Sequence, residues 1–135
     1  MSNAQNNDTS GFFGGGIPAV KFEKHGDKVS GQVIEKELRQ QTDFDTGKAL
    51  YWTDGSPRMQ VVVTLQVAEA TDEDEGLRNL YVRGLMTNAV RDALRTAKQR
   101  DLNIGHFLTV EYTGDGKPAR KGVSGAKQYK AHVAA

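Results

Sequence analysis

Apolar and polar residues alternate along several stretches of the chain in a way that predicts β-strands. The clearest strand begins at Val61, where a β-branched run without glycine or proline follows a turn at Asp54-Gly55. Five main strands are predicted: Lys28–Gln40, Val61–Ala68, Leu77–Arg83, Phe107–Tyr112 and a last strand containing Tyr129, Ala131 and Val133. A short additional strand is expected at Ala19–Glu23.

The first of these strands departs from a strict period of two. Val29, Gly31 and Val33 alternate with polar residues, whereas Ile34 and Leu38 fall out of phase with them. This pattern predicts a bulge, or a switch of the buried face, within the strand.

A helix is predicted between the third and fourth strands. Met86, Val90 and Leu94 recur at intervals of four and form an apolar stripe. The residue expected to cap the first turn is Thr87 or Asn88. Three basic residues lie off the stripe and are expected to face solvent: Arg91, Arg95 and Lys98.

The composition is compatible with one globular domain. The chain has 135 residues, of which 37% are hydrophobic and 26% charged. It has no apolar run long enough to span a bilayer, and the lack of cysteine excludes disulfides and thiolate metal sites. We therefore expect a cytoplasmic domain over residues 17–135, preceded by a disordered, glycine-rich arm over residues 1–16.

Charge is distributed unevenly although the net charge is only +1. The run Glu69–Glu75 is acidic, whereas bases outnumber acids from Met86 to the end of the chain. A surface for nucleic acid would therefore depend on where the bases cluster, and the acidic run is expected to lie away from it.

Residues that carry catalysis or hold a cofactor are not arranged in recognisable motifs. The three histidines lack metal-ligand spacing, and neither Asp43-Phe44-Asp45 nor the acidic run matches a calcium loop. Gly14-Gly15-Gly16 is followed by an extended pattern instead of the helix that a phosphate-binding loop requires. We expect a binding protein with no catalytic residues, no metal and no cofactor.

The order of the predicted elements is that of the oligonucleotide/oligosaccharide-binding barrel, the OB-fold. This fold class is all-β with one helix: a five-stranded β-barrel with the helix between strands three and four. Its ligands lie on strands two and three, between the loops that join strands one to two and four to five. In this chain those loops are the aromatic segment Gln41–Pro57 and the basic segment Thr113–Ala126. An irregular connection as long as the first of them suggests a functional loop.

Three segments carry a further signal: WTDGSPRMQVVVTLQ at residues 52–66, LYVRG at residues 80–84 and TVEYTGDG at residues 109–116. They resemble a family of small single-stranded-DNA-binding OB proteins from phages of actinobacteria, and the likeness extends over Lys28–Val133. The resemblance implies work on exposed DNA strands in replication or recombination, within the host cytoplasm if the protein is phage-encoded. The chain ends without the acidic tip by which bacterial relatives recruit partners, so recruitment by that route is not expected.

Binding single-stranded DNA without sequence preference requires aromatic side chains for stacking and a basic track for phosphates. The aromatic candidates are Trp52, Tyr81 and Phe44, and for Phe44 a role in local packing is an equal alternative. The candidate phosphate contacts cluster on two loops and one strand: Arg39, Lys48, Arg58, Arg83, Lys117, Arg120, Lys121 and Lys127. Tyr112 and Tyr129 are expected in the core or at the barrel rim.

Other interpretations remain open at this point. The same barrel can serve as a module for RNA or for protein, or as a structural component of a phage particle. Homo-oligomer formation through an edge strand or through the segment Ile17–Phe22 is also open.

Overall fold

Five antiparallel strands and one helix form the part of the chain that the computed structural model describes, residues 17–68, 75–117 and 125–135. The elements are β1 (Lys28–Gln40), β2 (Met59–Val67), β3 (Leu77–Val82), α1 (Leu85–Thr96), β4 (Phe107–Asp115) and β5 (Lys127–Ala134). The predicted main strands and the helix between strands three and four are confirmed, and their ends differ from the predicted ones by a few residues.

The strands form one open sheet in the order β3-β2-β1-β4-β5, so the predicted closed barrel is not confirmed. The N-terminal segment occupies the edge of β3, where the Val20 N–H donates to the Asn79 carbonyl and the Asn79 N–H donates to the Pro18 carbonyl, both at 2.9 Å. These contacts occupy the backbone N–H and carbonyl of Asn79 at the edge of β3. The predicted strand Ala19–Glu23 is reduced to a single parallel bridge between Ala19 and Asn79.

The predicted irregularity in β1 is a shift in its register against β2, between Val33 and Glu35. Before this bulge, Gly31 pairs with Val67 of β2 and also with Leu108 of β4. A Cβ atom on Gly31 would lie 2.7 Å from the backbone carbonyl oxygen of Gln66, so only glycine fits where β1 passes between both neighbours. Beyond the bulge β1 pairs with β2 alone, and we call this part of β1 with the facing part of β2 the ribbon. On its other edge β2 stays paired with β3 as far as Val61.

One face of the sheet carries the core. Six side chains are fully buried there: Leu65, Leu80, Leu108, Val33, Val63 and Val110. The helix α1 covers this face with Met86, Val90 and Ala93 and packs mainly against β5. We call this the core face, and we call the opposite side of the sheet the outer face.

The helix begins at Leu85, directly after Gly84, which adopts a φ of 57° that favours glycine. No side chain caps its first turn, so the predicted cap at Thr87 or Asn88 is wrong. The chain reversal at Gly84 sets the start of the helix instead. Within the described residues, no helix combines the length and the apolar character required to cross a membrane.

Candidate nucleic-acid interface

Backbone hydrogen bonds organise the connection between β1 and β2, which the sequence presented as a long irregular loop. The Gln41 N–H donates to the Arg58 carbonyl at 2.6 Å, and the Leu50 N–H donates to the Gln41 carbonyl at 2.8 Å. The Arg58 N–H donates in turn to the Leu50 carbonyl at 3.0 Å. These bonds divide the connection into two tips, which we call the first tip (residues 43–48) and the second tip (residues 52–57).

The first tip projects Phe44 into solvent. The Asp43 carboxylate accepts hydrogen bonds from the backbone N–H groups of Thr46 and Asp45, each at 2.9 Å. These bonds favour the charged carboxylate and hold the pKa of Asp43 below its usual range. The Phe44 side chain is 100% exposed, so local packing does not account for it and both faces of its ring are accessible. Lys48 closes the same tip and is also exposed.

The second tip presents Trp52, whose side chain is 52% exposed and therefore does not belong to the core. The Asp54 carboxylate accepts hydrogen bonds from the Ser56 hydroxyl at 2.6 Å and from the Ser56 N–H at 2.9 Å, and these bonds lower the pKa of Asp54. The Arg58 guanidinium carbon lies 4.4 Å from the centroid of the Trp52 ring, which is a cation–π contact. Arg58 thus steadies the ring and covers part of it.

Three basic residues share the outer face of the ribbon. Arg39 pairs with Gln60 across β1 and β2, and Arg83 Nη1 donates a hydrogen bond to Gln60 Oε1 at 3.2 Å. Arg58 precedes Gln60 by two residues in extended chain, so its side chain belongs to the same face. Part of the positive charge is balanced on this face, because Arg39 Nε lies 2.5 Å from Glu37 Oε1.

Tyr81 lies on the outer face one row further along β3. It pairs directly with Val62, which in turn pairs with Glu37 of β1, and its side chain is partly exposed. Leu80 and Val82, its neighbours in β3, are buried on the core face. The prediction that Tyr81 faces away from Leu80 and Val82 is therefore confirmed.

An open cleft of about 690 Å³ lies between the first tip, the end of β3 and the start of β5. Four of the predicted site residues line it: Phe44, Tyr81, Arg83 and Lys127. We call it the β3–β5 cleft. Phe22 and Tyr129 complete the wall, with their ring centroids 5.4 Å apart in an edge-to-face arrangement. The cleft thus combines four aromatic rings with two basic side chains and one carboxylate, that of Asp43.

Lys127 has a structural role at the edge of this cleft. Its ammonium group donates a hydrogen bond to the Phe22 carbonyl and lies 5.0 Å from the centroid of the Tyr112 ring. The Tyr112 hydroxyl donates to Asp115 Oδ1 at 2.5 Å, and this bond, with burial and the aspartate charge, raises the pKa of Tyr112 to about 12. Burial raises the pKa of Tyr129 as well, so both phenols keep their protons at neutral pH.

The remaining predicted residues are less closely gathered. Lys117 is exposed just after β4, and it does not line the β3–β5 cleft. Arg120 and Lys121 lie outside the described residues. Trp52 and Arg58 do not line the cleft either. Arg58 belongs to the outer face, and its contact with Trp52 places that ring beside the same face. The described site is therefore the two tips, the outer face of the ribbon and the β3–β5 cleft.

Phe22, Gln60 and Tyr129 belong to this site but were not predicted as part of it. Gln60 precedes the run of valines, and its alternation with Val61 is a signal that places it on the outer face. Tyr129 was assigned to the core or the rim, and it is partly buried at the cleft. Phe22 carries no local signal, because its position depends on the N-terminal segment lying along β3.

No group of three or more histidine, cysteine, aspartate or glutamate side chains suited to hold a metal ion occurs among the described residues. Comparison of the chain with models of protein families, with curated proteins and with solved structures returned no match. The resemblance to phage proteins therefore stays a prediction from the sequence.

Proposed function

We propose that this protein binds single-stranded DNA with little sequence preference, and that its sheet is an OB-type scaffold. The order β3-β2-β1-β4-β5 is that of an OB barrel opened between its third and fifth strands, and OB barrels are often only partly closed. The helix between β3 and β4 fits the same scaffold. The N-terminal segment, between the β3 edge and Tyr129, bridges part of the gap.

The observation that carries this proposal is the grouping of aromatic and basic side chains around the outer face and the β3–β5 cleft. Phe44, Tyr81 and Trp52 offer ring faces, while Arg83 and Arg58 lie beside them. A single strand needs both, because its bases stack on rings and its phosphates require positive charge. Stacking contributes about 1–3 kcal/mol per base and depends little on base identity.

Low sequence preference follows from the chemistry of these groups. Ring faces and guanidinium groups interact with any base and with the common phosphate backbone. Gln60, the amide on the outer face, is already engaged by Arg83 at 3.2 Å. The proposed place of this activity is phage replication or recombination in the host cytoplasm, for which the sequence resemblance is the support.

Quenching of tryptophan fluorescence tests the proposal directly, because Trp52 is the only tryptophan in the chain. The intact protein is titrated with dT oligomers and with matched duplex DNA at low and at moderate salt. We expect strong quenching by the single strand, little by the duplex, and weaker affinity at the higher salt concentration.

Each alternative has a distinct outcome in the same experiment. Binding to rU oligomers that exceeds binding to dT would assign the site to RNA. Binding detected by another method without quenching would retain the function and move the strand away from Trp52. Failure to bind either single strand by any method would refute the proposed function.

A further inference from the structure

A second groove lies on the core face of the sheet, between α1 and the ribbon of β1 and β2. It has a volume of about 500 Å³, within the range typical of ligand clefts. Its apolar lining is aliphatic and includes Leu38, Val61, Val82, Val90, Leu94 and Leu102. We call it the helix groove. Val61 and Val82 pair with each other on the face opposite Tyr81, so the helix groove and the outer face lie on different sides of the sheet.

The groove lies where β1 continues past the part of the core that the helix covers. α1 has 12 residues and buries Met86, Val90 and Ala93 against the core, whereas β1 continues beyond its last pairing with β4. Leu38, on this free part of β1, is 66% exposed. Met59 is 40% exposed and lies on the same face as Leu38. Leu38 pairs with Val61, and Met59, two residues before Val61 on β2, projects to the same side of the sheet. The aliphatic floor therefore continues into an exposed apolar patch.

Basic side chains border this aliphatic floor. Thr87, Val90, Arg91 and Leu94 have the spacing of one helix face, and all four line the groove. Arg91 donates a hydrogen bond to the Asn88 amide oxygen at 3.1 Å. Within the described part of the chain, no carboxylate lies in ion-pair range of Arg91.

The opposite rim is formed after the helix. Arg100 lines the groove there, and among the described residues it too has no carboxylate within ion-pair range. Lys36, by contrast, is neutralised by Asp101 at 2.7 Å. The second carboxylate of the lining, Glu37, is paired with Arg39 at 2.5 Å. The uncompensated charge of the lining is therefore positive, and it is supplied by Arg91 on one side and Arg100 on the other.

We propose that the helix groove docks a short acidic segment of a partner protein that carries bulky apolar side chains. The aliphatic floor takes the apolar side chains, and the two uncompensated arginines attract the acidic ones. A nucleic-acid strand fits this groove poorly, because its described lining contains no aromatic ring on which a base stacks. The groove lies on the far side of the sheet from the outer face, so a partner held there leaves the outer face accessible to DNA.

The test uses the full-length protein and fluorescence anisotropy of a short fluorescein-labelled peptide of alternating leucine and glutamate. Two control peptides keep its length: one replaces every glutamate with lysine, and the other replaces every leucine with serine. We expect saturable binding of the leucine–glutamate peptide and little binding of either control. Binding that survives the loss of leucine or the reversal of charge would overturn the proposal, as would the absence of binding.

Two variants assign the binding to this groove. Leu38→Asp and Arg91→Glu should each weaken it about tenfold or more, because one removes apolar contact and the other reverses a rim charge. Arg95→Glu is the matched control, since Arg95 lies on the same helix, is 75% exposed in its side chain and does not line the groove. Thermal melts confirm that each variant is folded.

Two further results would refute the proposed docking of an acidic segment in the groove. Equal loss of peptide affinity in Arg95→Glu and Arg91→Glu would indicate general charge attraction and refute a specific groove. A loss of dT affinity in Leu38→Asp would assign the groove to nucleic acid instead. Trp52→Ala is expected to leave peptide binding unchanged, which separates this proposal from the proposed DNA site.

Discussion

Replacing Trp52 with alanine should weaken binding to single-stranded DNA far more than it destabilises the fold. The Trp52 side chain is 52% exposed on the second tip, and Arg58 forms a cation–π contact with its ring. If the ring stacks on a base, its removal eliminates an interaction that involves no buried part of the core.

The two magnitudes follow from the nature of the contacts. Loss of one stacked base costs about 1–3 kcal/mol, which corresponds to a decrease in affinity of roughly 5-fold to 150-fold. Loss of an exposed cation–π pair costs about 0.5–1 kcal/mol of stability. The affinity should therefore fall clearly, while the melting temperature changes by a few degrees at most.

The assay is anisotropy of a fluorescein-labelled dT oligomer, because Trp52→Ala removes the intrinsic fluorophore. Melting is followed by circular dichroism in the same buffer. Tyr51→Ala is the matched control: Tyr51 adjoins Trp52, is 59% exposed, and points to the other side if the segment is extended. We expect Tyr51→Ala to retain most of the affinity.

Two results would refute this reasoning. If Trp52→Ala binds dT as tightly as the parent, Trp52 is not a stacking platform. If Tyr51→Ala weakens binding by the same factor, the effect comes from disturbance of the second tip and not from the indole ring itself.

Other predictions concern charge, packing and pH. Arg83→Ala should weaken dT binding and reduce the slope of log affinity against log salt by about 0.7, the value for one phosphate contact, and an unchanged slope would exclude Arg83 from the phosphate track. Arg95→Ala is its control, because Arg95 lies on the solvent-exposed side of the helix. Gly31→Ala should destabilise the fold by about 1–3 kcal/mol in urea unfolding, because its Cβ would lie 2.7 Å from the Gln66 carbonyl oxygen. Gly26→Ala is the control: its Cβ would meet open space, so any loss of stability there comes from backbone strain and not from packing. The pKa of Asp54 is lowered from 3.8 in the folded protein, because the ionised carboxylate accepts hydrogen bonds from Ser56. These bonds should stabilise the second tip above pH 4, and the stabilisation should decrease as the pH falls through the lowered pKa. Asp54→Asn should remove that dependence in a pH titration of Trp52 fluorescence, and a titration identical to the parent's would contradict it.

The strands and the helix could be predicted because their signals are local. The run of valines in β2, the broken alternation at Ile34 and the apolar stripe through Val90 each reflect a period that neighbouring residues establish. Turn chemistry in the second tip was likewise readable, since the turn predicted at Asp54-Gly55 forms and the Asp54 carboxylate accepts from the Ser56 N–H. The exposure of Trp52 was consistent with this turn, whereas the sequence alone left the packing alternative open for Phe44.

Features that join distant segments could not be read in this way. The N-terminal segment lies along the edge of β3 through Val20, and it brings Phe22 to Tyr129, more than a hundred positions later in the sequence. The stacking of Arg58 on Trp52 and the bond from Arg83 to Gln60 depend in the same way on how the ribbon folds back on itself.

The sequence by itself determined the order and type of the elements, the bulge in β1 and the residue types that suit single-stranded DNA. Only the tertiary structure decided that the sheet is open, that Phe44, Tyr81, Arg83 and Lys127 line one cleft, and that a groove with a basic rim remains beside α1. The physical reason is that periodicity and turn chemistry act over a few residues. Clefts and grooves arise where segments far apart in the chain meet, or where a strand continues past the helix that covers its neighbours.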